Sequence, residues 1–270
     1  MKKQIANWGN YPVISAEENS FTQEEQLTDL LKTHRSVIAR GNGRCYGDAS
    51  LNSYYNISTL KYDKVLAFDT VQGIFECQAG VTLDQILEVI VPKGWFLPVT
   101  PGTKFITVGG AVASDVHGKN HHVDGAFSNQ IVDMDVITGK GTITCSANQE
   151  PDLFWATCGG MGLTGVITRV TFRLKKIETS FIKQRQIKAK NLDEVLRLFD
   201  EYKDYTYSVA WIDCLKQGDA FGRSILILGE HAKLEELPAQ VKKDPLQLPK
   251  KKKLTIPFNL PSFVLNNHEG

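Results

Sequence analysis

Apolar residues recur at helical spacing in some stretches of the chain and cluster or alternate at strand spacing in others, which predicts an α+β protein. Leu27, Leu30 and Leu31 follow Ser20-Phe-Thr-Gln23, a capping-box pattern, so a helix is predicted over about 22–33. Ser36-Val-Ile-Ala-Arg40 reads as a short strand after it. The plan repeats with strand Ile74–Ala79, the capping box Thr82-Leu-Asp-Gln85, and a helix with Leu83, Ile86, Leu87 and Ile90 on one face. Pro92-Lys-Gly94 stops that helix, and Trp95–Val99 resumes as strand. Further on, Ile131–Thr138 and Thr142–Cys145 flank Gly139-Lys-Gly141 as a hairpin, Pro151 opens a helix, and Val166–Leu174 alternates as a long strand. After Lys175-Lys-Ile-Glu178 glycine becomes sparse. A helix at Leu192–Tyr202 and strands at Thr206–Ile212 and Arg223–Leu228 follow, which predicts a domain boundary near 176. Pro245–Pro261, with lysines at 250–253, reads as an exposed, solvated loop.

At 270 residues the chain has room for one large or two smaller units. A hydrophobic share of 42% and a net charge of +1 fit a globular protein and give no reason to expect nucleic acid or another polyanion as partner. The first residues, MKKQIANWGNYPV, lack the apolar run of a signal peptide, and no stretch reaches the roughly 20 apolar residues of a membrane helix, so the expected location is cytoplasmic. Cys45, Cys77, Cys145, Cys158 and Cys214 are odd in number and form no C-x-x-C pair. They are expected to be buried or half-buried free thiols rather than a disulfide framework or a zinc site.

Candidate chemistry gathers in glycine-rich segments. Arg40-Gly-Asn-Gly-Arg-Cys-Tyr-Gly-Asp48 follows a strand, but its glycines at 41, 43 and 47 miss the dinucleotide fingerprint, and no Gly-Lys-Ser/Thr ends it. It reads either as an ordinary tight turn or as a nest of backbone N–H groups for an anion, with Arg40 and Arg44 nearby. Pro101-Gly-Thr103 and Thr107-Val-Gly-Gly-Ala111 form a second such region leading to Ala113 and Ser114, and Gly159-Gly-Met-Gly-Leu-Thr-Gly165 forms a third. Three such loops suggest one extended ligand carrying a pyrophosphate and a ring system. Ala113-Ser-Asp-Val-His-Gly-Lys-Asn-His-His122 adds three histidines. A zinc site is disfavoured, because His117 and His121 lack the H-E-x-x-H glutamate and Gly118-Lys-Asn120 is poor helix material. Structural loop histidines and the wall of an organic cofactor site remain as readings. The absence of G-x-S-x-G leaves a hydrolase without a nucleophile context.

The motif Ile38-Ala-Arg-Gly-x-Gly-Arg-x-Tyr-Gly-Asp48, with Pro101-Gly-Thr103, Val108-Gly-Gly110, Asp115–His122, Phe154-Trp-Ala-Thr157 and Gly162-Leu-Thr-Gly165, resembles the FAD-dependent decaprenylphosphoryl-β-D-ribose 2-oxidases. These belong to the vanillyl-alcohol-oxidase, or PCMH-type, flavoprotein superfamily, and Ser208-Val-Ala-Trp-Ile-Asp213 is similar to the start of that family's substrate domain. The resemblance implies an α+β PCMH-type FAD domain over 1–175, in subdomains of about 1–55 and 56–175, followed by the start of an antiparallel-sheet substrate domain over 176–270. It implies oxidation of the ribose C2 hydroxyl of a polyprenyl-phosphoryl ribose, as the first half of an epimerisation to arabinose in arabinan and cell-wall biosynthesis. A related sugar, aldonolactone or alditol oxidase and a non-catalytic flavin-binding fragment are the alternatives. A short-chain reductase is the implied partner, and the lipid substrate implies peripheral contact with a membrane.

The implied cofactor contacts are Arg40, Gly41, Asn42, Gly43, Arg44, Cys45, Tyr46, Gly47 and Asp48 in the first loop and Gly102, Thr103, Thr107, Val108, Gly109 and Gly110 in the second, followed by Ser114, Asp115, Val116, His117 and Ile167. His117 is the expected catalytic residue, and Tyr46 and Trp211 are expected in the substrate pocket. FAD is expected to be non-covalent, because Arg44 stands where many relatives carry the histidine that attaches the flavin, and guanidinium offers no nucleophilic lone pair. No metal is expected. Members of the resembled family run beyond this length, so the chain is expected to be the N-terminal portion of a longer enzyme, holding FAD weakly or not at all and not turning over alone.

Overall fold

The computed structural model describes residues 2–248. Strands β1 (Lys2–Ile5) and β2 (Ile14–Ser20) pair antiparallel, helix α1 (Glu24–Thr33) crosses to β3 (Val37–Arg40), and β4 (Tyr55–Ser58) enters between β2 and β3, parallel to both. A five-stranded antiparallel sheet follows in the order β5-β6-β10-β8-β9. Its strands are β5 (Val65–Asp69), β6 (Ile74–Gln78), β8 (Ile131–Thr138), β9 (Gly141–Cys145) and β10 (Val166–Arg173). Between β6 and β8 the chain forms α2 (Leu83–Ile90), the two-residue strand β7 (Trp95–Phe96) and the short helices α3 (Val108–Ala113) and α4 (His121–Asp124), while α5 (Pro151–Thr157) lies between β9 and β10. β11 (Lys175–Lys176) pairs with β7. A three-stranded antiparallel sheet in the order β12-β14-β13 closes the described chain, built from β12 (Ile182–Ala189), β13 (Tyr207–Ile212) and β14 (Ser224–His231), with α6 (Leu192–Glu201) packed on it. No helix among the described residues is long and apolar enough to cross a membrane. The loop expected over Pro245–Pro261 lies, beyond residue 248, outside the described residues.

The main core lies between the five-stranded sheet and helices α2 and α3, with Phe75, Phe127 and Phe172 fully buried at its centre. A second cluster of Phe21, Leu27, Tyr55 and Ile57 packs with Ile137 and Val166, and so fixes the first sheet against the ends of β8 and β10. That seam is where the glycine loops meet. On the central strand β10, Arg169 reaches Asp135 at 2.6 Å, Asp133 at 2.7 Å and Glu76 at 3.4 Å, tying β10 to both neighbours. Burial would raise the Asp135 carboxyl, but the Arg169 and Thr144 hydrogen bonds outweigh it and hold the group below the usual carboxylate range.

Several expectations shift. The Thr82 capping box is made, with Gln85 N donating to Thr82 Oγ1 at 3.3 Å and Thr82 N to Gln85 Oε1 at 2.8 Å. The box at Ser20 is not. Ser20 is spent as the last residue of β2, paired opposite Ser58, and α1 begins after Gln23 with no side-chain cap. The strand expected over Trp95–Val99 contracts to two residues. Burial pushes the thiols of Cys145 and Cys158 up to about 11 and about 12, and raises Cys77 as well, but Cys214 is exposed, contrary to expectation.

Candidate functional site

A cavity of about 430 Å³ opens at the seam between the first two sheets. The end of β3 and the loop after it supply Ala39 to Tyr46, Ala49 and Ser50, the entry to α3 and its body supply Ile106, Thr107, Gly109, Gly110, Ala113, Ser114 and Val116, and the third glycine group with the start of β10 supplies Met161, Gly162, Gly165 and Ile167. Thr59 and Ala79 complete the wall. Six glycines and four alanines leave little side-chain bulk, and the lining carries two arginines and no carboxylate. Such a surface suits a flat, negatively charged ligand.

The loop from Gly41 to Gly47 is shaped for an anion. None of its backbone N–H groups donates to another group among the described residues, so they remain free for a ligand. Gly43 and Gly47 adopt left-handed φ values of 60° and 57°, and a Cβ at Gly43 would run into the Arg40 guanidinium. The two loop arginines differ in role. Arg40 is turned away from solvent: Nη2 donates to Ala6 O at 2.7 Å, Nη1 to Ser50 Oγ at 2.9 Å and to Asn7 Oδ1, and Nε faces Glu18 at 3.3 Å. Arg40 lines the cavity, yet its charge is already paired. Arg44 is exposed, with its guanidinium 5.1 Å from the Trp8 ring centroid, and retains hydrogen-bonding capacity for a phosphate.

The second glycine loop works differently. At the start of α3, Val108 N donates to Val81 O at 2.8 Å, Gly109 N to Ala79 O at 2.9 Å and Gly110 N to Thr107 Oγ1 at 3.2 Å. These N–H groups are spent, so this segment is a thin wall rather than an anion cradle. Closeness is the reason for its glycine, because a Cβ at Gly109 would stand 2.9 Å from the Ala79 Cβ.

Of the sequence-predicted contacts, Arg40, Gly41, Asn42, Gly43, Arg44, Cys45, Tyr46, Thr107, Gly109, Gly110, Ser114, Val116 and Ile167 line the cavity, and the others do not. Gly47 and Asp48 turn outward into the exit from the loop, where Asn7 Nδ2 donates to Gly47 O at 3.0 Å and Leu51 N to Asp48 O at 2.8 Å. Gly102 lies off the wall, and Thr103 Oγ1 is engaged by Phe105 N at 3.2 Å. Val108 is fully buried in the core beneath α3. Asp115, at φ 39°, turns its carboxylate to Ser128, accepting from its N at 2.9 Å and its Oγ at 3.1 Å. His117 is exposed, its ring edge-on to His121 with centroids 5.9 Å apart, and lies off the cavity wall. Trp211 is 65% exposed on the edge strand β13, away from the cavity, so its place in a substrate pocket is not formed within the described residues.

The histidine segment has a structural centre of its own. Asn120 is fully buried, donating to Pro98 O at 2.7 Å and Asp124 Oδ2 at 2.7 Å. His122 Nε2 lies 2.8 Å from Tyr205 O, and Ser208 N donates to Lys119 O at 2.9 Å, so this segment carries the three-stranded sheet. Among the described residues no group of three or more histidine, cysteine, aspartate or glutamate side chains is placed to hold a metal ion. Sequence reasoning missed Ala49, Ser50, Thr59, Ala79 and Ile106, which carry no motif, and did not count Ala39 and Ala113 as contacts although both stood in segments it had singled out. Met161, Gly162 and Gly165 were within reach, since they belong to the third glycine group.

A wall of glycine and alanine, a run of free N–H groups and a nearby cation define a nucleotide-cofactor domain, and a family model described as FAD binding domain matches residues 21–146. FAD is therefore the cofactor of this domain, and its diphosphate fits the free N–H groups of the first loop. Over 98% of its length the chain is 35% identical to decaprenylphosphoryl-β-D-ribose oxidase of Mycolicibacterium smegmatis, of which it covers 60%. It is 26% identical to L-galactono-1,4-lactone dehydrogenase, mitochondrial, of Arabidopsis thaliana over 78% of the chain and 37% of that protein. Identity to putative D-arabinono-1,4-lactone oxidase of Neurospora crassa is also 26%, over 60% of the chain and 29% of that protein. The chain thus carries an FAD-binding domain and is similar, over nearly its whole length, to decaprenylphosphoryl-β-D-ribose oxidase. It spans about 60% of the length of that relative.

Proposed function

We propose that this chain supplies the FAD domain of an oxidoreductase that oxidises a secondary alcohol of a sugar, and that the alcohol is the ribose C2 hydroxyl of a polyprenyl-phosphoryl ribose. The observation that carries the reading is the cavity itself: three glycine loops meet on one wall in a chain whose similarity to decaprenylphosphoryl-β-D-ribose oxidase extends over 98% of its length. Bound FAD supplies the two-electron acceptor that turns an alcohol carbon into a carbonyl, and the protein's part is binding, orientation and electrostatics. The N–H groups of Gly41–Gly47 would hold the diphosphate with Arg44 as counter-charge, while Gly109, Gly110, Val116 and Ile167 would flank the ring system. Arg44 at the attachment position argues for a non-covalent flavin, so acid precipitation should leave the flavin in the supernatant.

His117 keeps a proposed role beside the substrate, and its exposure leaves it accessible to one. A short-chain reductase acting on the keto-sugar would complete an epimerisation. A lactone as substrate is the second reading, favoured by the similarity to L-galactono-1,4-lactone dehydrogenase over 78% of the chain. Bleaching of the flavin absorbance under anaerobic conditions separates the two. Reduction by polyprenyl-phosphoryl ribose and not by aldonolactones supports the first reading; the reverse sinks it.

A further inference from the structure

The loop that would hold the diphosphate is shaped by a segment upstream of residue 21, where the match to the FAD-binding model begins. Ala6, Asn7 and Trp8 run beneath it. Asn7 is 3% exposed, and its side chain touches both ends of the loop. Its Oδ1 accepts from Arg40 Nη1 at the entry and from Ser50 Oγ at 2.9 Å beyond the exit, while its Nδ2 donates to Gly47 O at 3.0 Å. Ala6 O accepts from Arg40, and Trp8 N donates to Cys45 O at 3.1 Å. The Trp8 ring lies under Arg44.

We propose that Asn7 is a positioning residue for the diphosphate of FAD: it staples the two ends of the Gly41–Gly47 loop together, so that the free N–H groups converge before the cofactor arrives. The inference rests on the assignment of this loop to FAD. Its physical basis is preorganisation. A glycine-rich loop whose backbone N–H groups have no protein partners takes its shape from its carbonyls, its ends and a few side-chain bonds, here Asn42 Nδ2 to Phe105 O at 2.9 Å and Cys45 Sγ to Ser50 Oγ at 3.2 Å. Gly47 O and the Arg40 and Ser50 side chains all meet the one carboxamide of Asn7. A carboxamide is suited to this, because it accepts and donates at once from a single rigid plane. Removing it leaves the shielded Arg40 guanidinium one acceptor short and takes the donor from Gly47 O.

The test uses the full chain with Asn7→Ala and Asn7→Asp. The aspartate keeps the acceptor for Arg40 and Ser50 but cannot donate to Gly47 O. Asn7→Ala is expected to weaken FAD and ADP alike by on the order of tenfold, the size of one or two lost hydrogen bonds, with Asn7→Asp in between and the far-UV circular dichroism of both unchanged. Without any ligand, tryptic cleavage after the exposed Arg44 should accelerate in the same order while other sites hold their rates. Unchanged FAD affinity, or an unchanged rate of cleavage after Arg44, overturns the proposal. If Asn7→Ala fails to fold, Asn7→Asp decides: weaker binding with faster cleavage supports positioning, and parental behaviour shows Asn7 to be structural only. If the parent chain retains no FAD, the cleavage rates after Arg44 decide the staple alone.

Discussion

Gly43 and Gly47 share a left-handed backbone and differ in their surroundings. A Cβ at Gly43 meets the Arg40 guanidinium, whereas one at Gly47 meets open space. Gly47→Ala should cost only the left-handed conformation, about 1–2 kcal/mol. Gly43→Ala carries that cost and also displaces Arg40 from Asn7, Ser50 and Glu18, so it should lower the thermal midpoint and the retained flavin further. Equal losses in the two variants would show that the Arg40 arrangement is irrelevant to the loop. The glycines were legible in the sequence because their spacing is a backbone statement. Asn7 and Ser50 were not, because their meaning arises from contacts across 43 residues of chain. The pairing of Arg40 was hidden for the same reason: Asn7, Ser50 and Glu18 reach its guanidinium from distant parts of the chain.

At the scale of elements, two nearly identical capping patterns met different fates. Ser20 and Thr82 each stand three residues before a glutamine, yet only Thr82 has free φ and ψ to bend its hydroxyl onto the helix. Thr82→Ala should therefore cost about 1 kcal/mol, while Ser20→Ala should stay within about 0.5 kcal/mol; chemical denaturation of the two variants checks the contrast. A similar loss in both would mean that the α1 cap forms in solution. Strands were legible in proportion to their periodicity. β10 was expected over Val166–Leu174 and forms over Val166–Arg173, because its length and its β-branched and aromatic residues mark it as strand. β12 was not expected, because Lys183, Gln184, Arg185 and Gln186 are all exposed and its order comes from pairing with β14. β4 failed for the opposite reason: Tyr55–Ser58 is buried throughout between two parallel neighbours, so nothing alternates.

For the whole molecule, the three-stranded sheet meets the flavin-binding part at a seam that contains a titratable group. His231, on β14, packs edge-on to Phe96 with centroids 5.0 Å apart, and its Nε2 lies 3.1 Å from Tyr207 Oη. Lys175 faces it from β11, with Asp124 and Glu230 nearby and Lys175 bonded to Asp124 at 2.6 Å. Burial first, and the Lys175 ammonium second, hold the His231 imidazole below the ordinary histidine range, against the pull of Asp124 and Glu230. The sign follows from linkage. Above about pH 6.5 the ring is neutral in the folded and unfolded chain alike, and its burial has no electrostatic cost. As pH falls below that value the unfolded chain takes the proton first, so stability declines until the lower folded-state value is passed. Thermal midpoints should therefore fall between pH 7.5 and 5.5, above the range in which Asp135 titrates, and the fall should be shallower in His231→Gln. Cleavage of exposed sites on β12 should rise over the same interval if the seam loosens before the core. An identical pH slope in His231→Gln would place the sensitive group elsewhere.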